Sequence, residues 1–257
     1  MDLKLAGRSV LVTGASKGIG LSVAQWFARE GCRIFMCARS RDLLEREAKT
    51  LRERDGVDVH TYALDLSVSS ARASLTAACP DVDILINNAG DIPAGSIEDV
   101  DQAAWRAGWE LKVLGYIELT RFYLAKMKAR RSGVIINIIG SAGDRPSAGY
   151  LAGSVGNASL MAFTRAIGAE SPNHNVRVLG VNPGPILTDR VIKLARKQAA
   201  QTLGDESKFE QMLASYPFGR AGTCDEVSAM VVFLASNLSS YTSGCIINVD
   251  GGMSARR

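Results

Sequence analysis

Short apolar runs alternate with segments of helical periodicity along the whole chain. The first run, residues 9–12, precedes a glycine-rich turn, after which Ile19, Val23 and Phe27 recur every four residues, as on a buried helix face. This alternation is typical of a mostly parallel β-sheet covered by helices on both faces. We therefore expect a doubly wound α/β fold. The predicted strands are residues 9–12, 33–38, 57–64, 82–86, 134–139, 176–181 and 245–249.

No linker, low-complexity tract or internal repeat interrupts this pattern, so we expect a single domain over residues 1–257. The apolar fraction of 47% supplies a core, and the net charge of +4 is mild. Because no cluster of lysines and arginines stands apart, nucleic acid is not expected as a partner. No apolar run approaches the ~20 residues that cross a membrane, and residues 1–7 lack the apolar stretch of a signal peptide.

The cysteines and histidines give no sign of disulfides or of a metal site. The five cysteines are an odd number without metal-like pairing, and the chain has two histidines. We therefore expect reduced thiols, a cytoplasmic location and no metal. The cysteines are Cys32, Cys37, Cys79, Cys224 and Cys245.

A glycine-rich turn, residues 13–20, lies between the first predicted strand and the first helix and reads TGASKGIG. Glycines there allow a tight turn and let the backbone approach a pyrophosphate, which rests on the helix N-terminus. Three glycines can also simply make a turn, but the position within a βαβ unit favours nucleotide binding. The residues expected to bind the nucleotide are Gly14, Ser16, Lys17, Gly18, Ile19 and Gly20.

Several motifs in this order resemble the short-chain dehydrogenase/reductase family. Residues 13–20 are similar to its TGxxxGxG motif, 87–90 to its NNAG motif, 182–188 to its Pro-Gly segment and 250–252 to its closing motif. The resemblance implies a Rossmann fold, a nicotinamide cofactor and interconversion of a carbonyl and an alcohol on a small molecule. It also implies contacts to the adenine side and to the nicotinamide carboxamide. The residues it implies for these contacts are Asp65, Leu66, Asn88, Ala89, Gly90, Tyr150, Pro183, Gly184, Ile186 and Thr188.

The choice of cofactor follows from charge. A carboxylate at the end of the second strand would hold the ribose 2′-hydroxyl of NAD, but the sequence there is Ala38-Arg39-Ser40. The planar fork of Arg39 suits a phosphate, and Lys17 adds a second cation. Both could also be solvated surface cations. We expect NADP(H) rather than NAD(H).

The resemblance implies a catalytic tyrosine, followed four residues later by a lysine, with a serine and an asparagine nearby. Tyr150 matches the tyrosine, but Ser154 stands where the lysine is expected. Gly140 aligns with the serine, and its neighbour Ser141 either polarises the substrate oxygen or merely forms a turn. Lys112 stands at the asparagine.

Lys112 is the hypothetical replacement for the missing lysine. It falls in an otherwise apolar stripe, and a buried amine there needs partners. We expect it to cross into space left by Gly153, Ser154 and Gly156, and so to place its ammonium near Tyr150. The stripe consists of Trp105, Trp109, Lys112, Tyr116, Leu119 and Tyr123.

The alternative interpretation is that Lys112 reaches solvent or pairs with Glu110 or Glu118. Two other functions also stay open: a non-catalytic NADP-binding regulatory or scaffold protein, and a cofactor-assisted elimination or isomerisation. The family resemblance further implies a homodimer or homotetramer through the helices near residues 100–128 and 151–169. A substrate lid is expected within residues 189–218, as a basic amphipathic helix whose charges either face solvent or attract an anionic substrate.

Overall fold

Seven parallel strands form the sheet of the computed structural model, which describes residues 2–256. Their order across the sheet is β3-β2-β1-β4-β5-β6-β7. The strand order runs one way from β1 to β3 and the other way from β4 to β7. Such a switch point, here between β1 and β4, opens a crevice at the carboxyl ends of the strands. The strands are β1 Ser9–Thr13, β2 Arg33–Ala38, β3 Val59–Ala63, β4 Ile84–Asn87, β5 Gly133–Ile138, β6 Val176–Pro183 and β7 Ile246–Val249.

The structure confirms the seven predicted strands, with ends that lie within two residues of the predicted bounds. The predicted strand at 57–64 is Val59–Ala63 in the structure. Gly56 ends the preceding helix in a left-handed conformation, so the chain needs the next residues to turn back to the sheet. At the other end Ala63 pairs with Ala38, the last residue of β2, and beyond it no partner continues the ladder.

Helices cover both faces of the sheet, as predicted. One face packs against α1, α2 and α9, and the other against α3, α5 and α6. No helix within residues 2–256 is both long and apolar enough to cross a membrane. The helices are α1 Gly18–Arg29, α2 Arg41–Asp55, α3 Ser69–Ala78, α4 Gln102–Trp109, α5 Gly115–Arg130, α6 Leu151–Glu170, α7 Asp189–Leu203, α8 Phe209–Ala214 and α9 Cys224–Ala235.

The predicted continuous helix through Lys112 is interrupted, although the apolar residues of the predicted stripe are all buried or half-buried. A π-helical turn, Glu110–Leu114, separates α4 from α5, and the Gly115 N–H donates to the Glu110 carbonyl five residues earlier. The extra residue in that turn shifts the register of the two flanking helices. Leu111 and Val113 in this turn are buried, and Lys112 between them is half-buried as a whole residue.

Arg72 on α3 fixes this π-helical turn. Its side chain is buried, and it donates to the carboxylates of Glu110, at 2.7 Å, and Glu118, at 2.6 Å. It also donates to the Leu66 carbonyl, at 2.8 Å. Both glutamates are thus engaged by Arg72, and the proposed alternative pairing of Lys112 with either of them does not occur.

Candidate active site

The glycine-rich turn is shaped by contacts that leave no room for side chains. Gly14 has a φ of +68°, and a Cβ at Gly20 would lie 2.3 Å from the Gly14 carbonyl oxygen. The Asn88 side chain closes the turn from the next strand by donating to the Thr13 carbonyl at 2.9 Å. The Thr13 hydroxyl in turn accepts from the Ala89 N–H at 3.1 Å. The turn and the residues after β4 therefore form one rigid unit.

This turn fits the phosphates of a dinucleotide. Lys17 precedes α1, and within residues 2–256 no side chain caps that helix, so its first N–H groups point into the crevice. Ser16 is buried beneath the turn, whereas Gly18 and Ile19 are half-buried and Lys17 is exposed. Backbone donors at an uncapped helix N-terminus, next to an exposed cation, are suited to bind phosphate.

Arg39 and Asp65 lie on the neighbouring strand ends. Arg39 is exposed and its guanidinium lies 3.6 Å from the exposed carboxylate of Asp91. Asp65 accepts hydrogen bonds from the backbone and hydroxyl of Ser67, at 3.0 and 2.8 Å, and these lower its pKa, with a smaller contribution from Arg39. Exposed ion pairs of this kind contribute little to stability, so Arg39 can exchange Asp91 for a phosphate. Leu66, next to Asp65, is buried.

The segment after β6 borders the same crevice. Gly184 lies so close to Asp250 that a Cβ there would be 2.8 Å from the Asp250 backbone. Ile186 is buried and pairs with Gly222 in an isolated bridge. Thr188 caps α7 by accepting from the Val191 N–H at 3.4 Å. A Cβ on Gly18 would lie 3.4 Å from the Thr188 methyl group, so this segment contacts the glycine-rich turn. Pro183 is the last residue of β6.

Tyr150 lies at the N-terminus of α6, and its ring lies over Gly153. A Cβ on Gly153 would be 2.0 Å from the Tyr150 Cζ, so only glycine permits this position of the ring. Hydrogen bonds from Gly95 to Gly149 and from Leu151 to Gly95 tie the backbone around Tyr150 to the loop after β4. The tyrosine is half-buried, and its orientation is fixed by packing.

The cation beside Tyr150 is Arg190, on the first turn of α7. Its guanidinium carbon lies 5.7 Å from the centre of the Tyr150 ring, and its Nη2 lies 3.4 Å from the Tyr150 hydroxyl. The same nitrogen donates to the Ile92 carbonyl at 2.7 Å, and Nη1 lies 3.7 Å from Asp91. Burial raises the pKa of Tyr150 above its usual value, and Arg190 opposes that rise, while Asp91 adds to it.

The space around Ser154 is not available to Lys112, which corrects the geometry expected from the sequence. Gly153 accommodates the Tyr150 ring, and Gly156 accommodates the Trp109 indole, which donates to the Ala152 carbonyl at 2.9 Å. The buried Ser154 hydroxyl accepts from the Ser147 N–H at 3.1 Å. Gly153 therefore makes room for the Tyr150 ring, Gly156 makes room for the Trp109 indole, and Ser154 binds the loop at Ser147.

Lys112 enters the site from the opposite side. Its amine donates to the carbonyl of Ile139, and its aliphatic stem packs on Gly90, where a Cβ would lie 3.0 Å from the lysine Cδ. Burial, helped by the nearby Arg190, lowers the pKa of Lys112 to about 7. Among the hydrogen bonds of residues 2–256, none joins Lys112 to Tyr150.

The glycine at the family's serine position is required by its surroundings. Gly140 has a φ of +134°, and a Cβ there would lie 2.8 Å from the side-chain nitrogen of the buried Asn157. A serine would be strained in this backbone. Ser141 follows in a short 3-10 turn, half-buried, and within the described chain its hydroxyl makes no hydrogen bond. That hydroxyl can therefore bind another molecule.

Sequence reasoning missed three residues of this site: Asp91, Asn157 and Arg190. Arg190 is part of the basic helix predicted over the lid region, but nothing in the sequence distinguishes it from its neighbouring cations. Asn157 lies seven residues after Tyr150, two helical turns along α6, which places it below Gly140. Residues 2–256 hold no cluster of three or more histidine, cysteine, aspartate or glutamate side chains placed to hold a metal ion.

Comparison with known proteins identifies the family. Residues 8–199 match the profile of the short chain dehydrogenase family. The chain is 32% identical to a galactitol 2-dehydrogenase (L-tagatose-forming) of Cereibacter sphaeroides, over 97% of this chain and 96% of that protein. It is 30% identical to the 3-oxoacyl-[acyl-carrier-protein] reductase FabG of Aquifex aeolicus, over 98% and 100%.

Solved structures give the same result. The L-sorbose reductase of Gluconobacter frateurii, determined with NADPH and L-sorbose, superposes with a TM-score of 0.91 at 32% identity and 100% coverage of both chains. The profile covers residues 8–199, and these relatives cover 97% or more of the chain. The chain therefore belongs to the short-chain dehydrogenase/reductase family of oxidoreductases.

Proposed function

We propose that this protein interconverts a carbonyl and an alcohol on a small molecule, with NADP(H) as cofactor and Tyr150 as acid and base. The observation that carries the proposal is the position of Tyr150: the residue is half-buried, and its hydroxyl lies 3.4 Å from the guanidinium of Arg190, on the helix that begins after the Thr188 cap. A tyrosine held in this way can deliver a proton to a bound oxygen.

The residues proposed to hold the cofactor fall into three groups. Gly14, Gly18 and Gly20 allow the phosphates to reach the N-terminus of α1. Asp65 and Leu66, with Asn88, Ala89 and Gly90, border the adenine side, and the segment from Pro183 to Thr188 borders the nicotinamide. When bound, the cofactor supplies or accepts a hydride.

The preference for NADP(H) is supported by charge. Lys17 and Arg39 are both exposed, and β2 ends without a carboxylate that would repel a 2′-phosphate. The L-sorbose reductase of known structure was determined with NADPH. Both cations can therefore pair with the additional phosphate.

The chain's own residues move and hold the proton. In reduction, the Tyr150 hydroxyl gives its proton to the substrate oxygen; in oxidation, the phenolate takes it back. Burial favours the protonated form of this hydroxyl, because it raises the pKa of Tyr150 above its usual value. We assign the hydroxyl of Ser141 to the substrate oxygen as a further donor. Lys112 fixes the backbone before Gly140 through the Ile139 carbonyl, and thereby supports the loop that carries Ser141.

The substrate is proposed to be a small carbonyl or alcohol compound that enters beneath α7 and α8. These helices lie within residues 189–218, where we place the lid. A homodimer or homotetramer is also proposed, from membership in the family. Relatives reduce or oxidise substrates as different as sugars and acyl-carrier-protein thioesters, so the class of substrate is to be determined by assay.

The test is a panel of carbonyl substrates with NADPH, followed by its absorbance and by product analysis. The panel includes L-sorbose, L-tagatose and a 3-oxoacyl thioester, and NADPH affinity is measured separately by fluorescence. The proposal expects equimolar NADPH loss and alcohol formation with at least one substrate. Tight NADPH binding without turnover would favour the non-catalytic alternative, and product formation without net NADPH loss would favour elimination or isomerisation.

A further inference from the structure

We propose that Arg190 is a catalytic residue, whose guanidinium stabilises the Tyr150 phenolate in place of the missing lysine. The inference rests on the proposed function of Tyr150, which it deepens by assigning a partner to that group. Ser154, four residues after Tyr150, is neutral, and its hydroxyl accepts a hydrogen bond from the Ser147 N–H at 3.1 Å. The cation beside the tyrosine therefore comes from another element, the first turn of α7.

The contact has two components. The guanidinium lies over the Tyr150 ring, with its carbon 5.7 Å from the ring centre, and its Nη2 lies 3.4 Å from the hydroxyl. An arginine is suited to such a place because its charge is permanent and its plane can both stack on a ring and donate hydrogen bonds. The contact to the hydroxyl is long, and hydrogen bonds of this kind shorten when a substrate is bound.

Arg190 is held in place from two further directions. It donates to the Ile92 carbonyl at 2.7 Å and lies 3.7 Å from Asp91. Its own helix begins at Asp189, directly after the Thr188 cap, so the start of α7 determines the position of the guanidinium. The cation is therefore brought to Tyr150 by the segment that borders the nicotinamide site.

Other charged and titratable groups lie nearby, but within residues 2–256 none of them donates a hydrogen bond to the Tyr150 hydroxyl. Asp91, from the loop after β4, raises the pKa of Tyr150, which Arg190 opposes. The amine of Lys112 binds the Ile139 carbonyl, and Arg190 lowers its pKa in turn. The hydroxyl of Tyr116 on α5 is buried and donates to the Ile138 carbonyl at 3.0 Å.

The reduction moves one proton from Tyr150 to the substrate. In reduction, the O–H bond of Tyr150 breaks, the proton goes to the substrate oxygen and the electron pair stays on the phenolate oxygen. The hydride at the carbonyl carbon comes from the NADPH of the proposed function. The guanidinium keeps all its protons and acts only through its charge and its N–H groups.

The test measures the ionisation of Tyr150 without any substrate. Full-length protein is made with fluorotyrosine, whose more acidic hydroxyl titrates while the protein is folded, and is followed by ¹⁹F NMR against pH. The Tyr150→Phe variant assigns the signal. The variants compared are Arg190→Gln, Arg190→Lys and Asp91→Asn, with Lys193→Gln as the control because Lys193 is an exposed cation of the same helix.

We expect Arg190→Gln to raise the pH at which the signal of residue 150 titrates, and Arg190→Lys to retain part of the wild-type value. Asp91→Asn should lower it, and Lys193→Gln should leave it unchanged. An unchanged titration in Arg190→Gln, with circular dichroism showing the folded chain, would overturn the proposal. Asp91→Asn provides a second test of the electrostatic field at the Tyr150 hydroxyl, from a residue outside α7.

Kinetics separate this inference from the proposed function. Once a substrate is known, Arg190→Gln should lower kcat/KM about 10- to 100-fold. This loss is smaller than the loss caused by removing a fully buried oxyanion donor, because the Arg190 side chain is 43% exposed. The pH profile of Arg190→Gln should move in the same direction as the titration. A raised KM with unchanged kcat and unchanged titration would make Arg190 a substrate anchor and overturn the proposal. A shifted titration without turnover on any carbonyl would refute only the oxidoreductase function.

Discussion

The Tyr150 ring occupies the place where a side chain at Gly153 would be, since a Cβ on Gly153 would lie 2.0 Å from the Tyr150 Cζ. Gly153 lies in the first turn of α6, where glycine costs about 1 kcal/mol relative to alanine. The helix therefore gives up some stability so that the tyrosine can lie flat against it.

This contact predicts that Gly153→Ala inactivates the enzyme without unfolding it. The added methyl group displaces the ring, while the helix gains up to about 1 kcal/mol. We expect kcat/KM to fall on the order of 100-fold, since misplacement of a reacting group by about 1 Å has this effect. Steady-state kinetics and thermal unfolding measure the two effects.

The matched control is Gly156→Ala, one turn further along α6. Its Cβ would lie 3.1 Å from the Trp109 indole nitrogen and does not approach Tyr150. If both variants lost the same activity, general damage to the helix would explain the loss and the contact between Gly153 and Tyr150 would not.

Lys112→Met tests the burial of the lysine amine. The pKa of Lys112 is about 7 in the folded chain, against an ordinary 10.5, so the unfolded chain binds more protons between these values. The free energy of unfolding contributed by Lys112 therefore rises as pH increases through about 7 to 10. Without the amine this rise should disappear, and the variant should be more stable at pH 7 on the order of 1 kcal/mol.

Denaturant unfolding at several pH values measures this effect. Lys126→Met, a change of an exposed lysine on α5, serves as the control and should keep the wild-type dependence. A Lys112→Met protein that showed the same rise in stability from pH 7 to 10 as the wild type would exclude the buried neutral amine.

Gly140→Ser restores the serine of the family pattern and should destabilise this chain. The backbone there has a φ of +134° and the Asn157 amide leaves no space. We expect a loss of about 1–3 kcal/mol in the free energy of unfolding. Asn157→Ala in the same chain should recover part of it, and a double-mutant cycle measures the coupling. Additive effects of the two substitutions would show that the clash is not the cause.

Arg39→Glu should change the cofactor preference. A carboxylate at the end of β2 repels a 2′-phosphate and can accept a hydrogen bond from the ribose of NADH. We expect NADPH affinity to fall about tenfold or more and NADH affinity to rise. Arg46→Glu, on the exposed face of α2, is the control for the change in net charge. Equal NADPH affinities in the two variants would show that Arg39 does not hold the phosphate.

The sequence predicted the sheet and the glycine-rich turn because both depend on local patterns. Short apolar runs that alternate with helical segments identify the strands. Gly14 and Gly20 stand in a glycine motif that the sequence shows directly, and in the structure neither position has room for a side chain. The role of Tyr150 stays a prediction from the family pattern. These features need no knowledge of how distant segments pack.

The partner of Tyr150 could not be found in this way. Arg190 is 40 residues away along the chain, and its contact to the tyrosine depends on how α7 lies on the loop after β4. The contact of the Lys112 amine with the Ile139 carbonyl could not be predicted either, because helical spacing does not show which loop a side chain reaches. Glycines 153 and 156 suggested a space that Tyr150 and Trp109 in fact fill.

The role of Tyr150 is tested by comparing wild-type protein with Tyr150→Phe in NADPH-dependent carbonyl reduction, with NADPH affinity measured on both. We expect similar affinity and a loss of turnover of about 100-fold or more, because only the proton donor is removed. Turnover in Tyr150→Phe equal to that of the wild type would contradict the central claim that Tyr150 is the acid and base of this site.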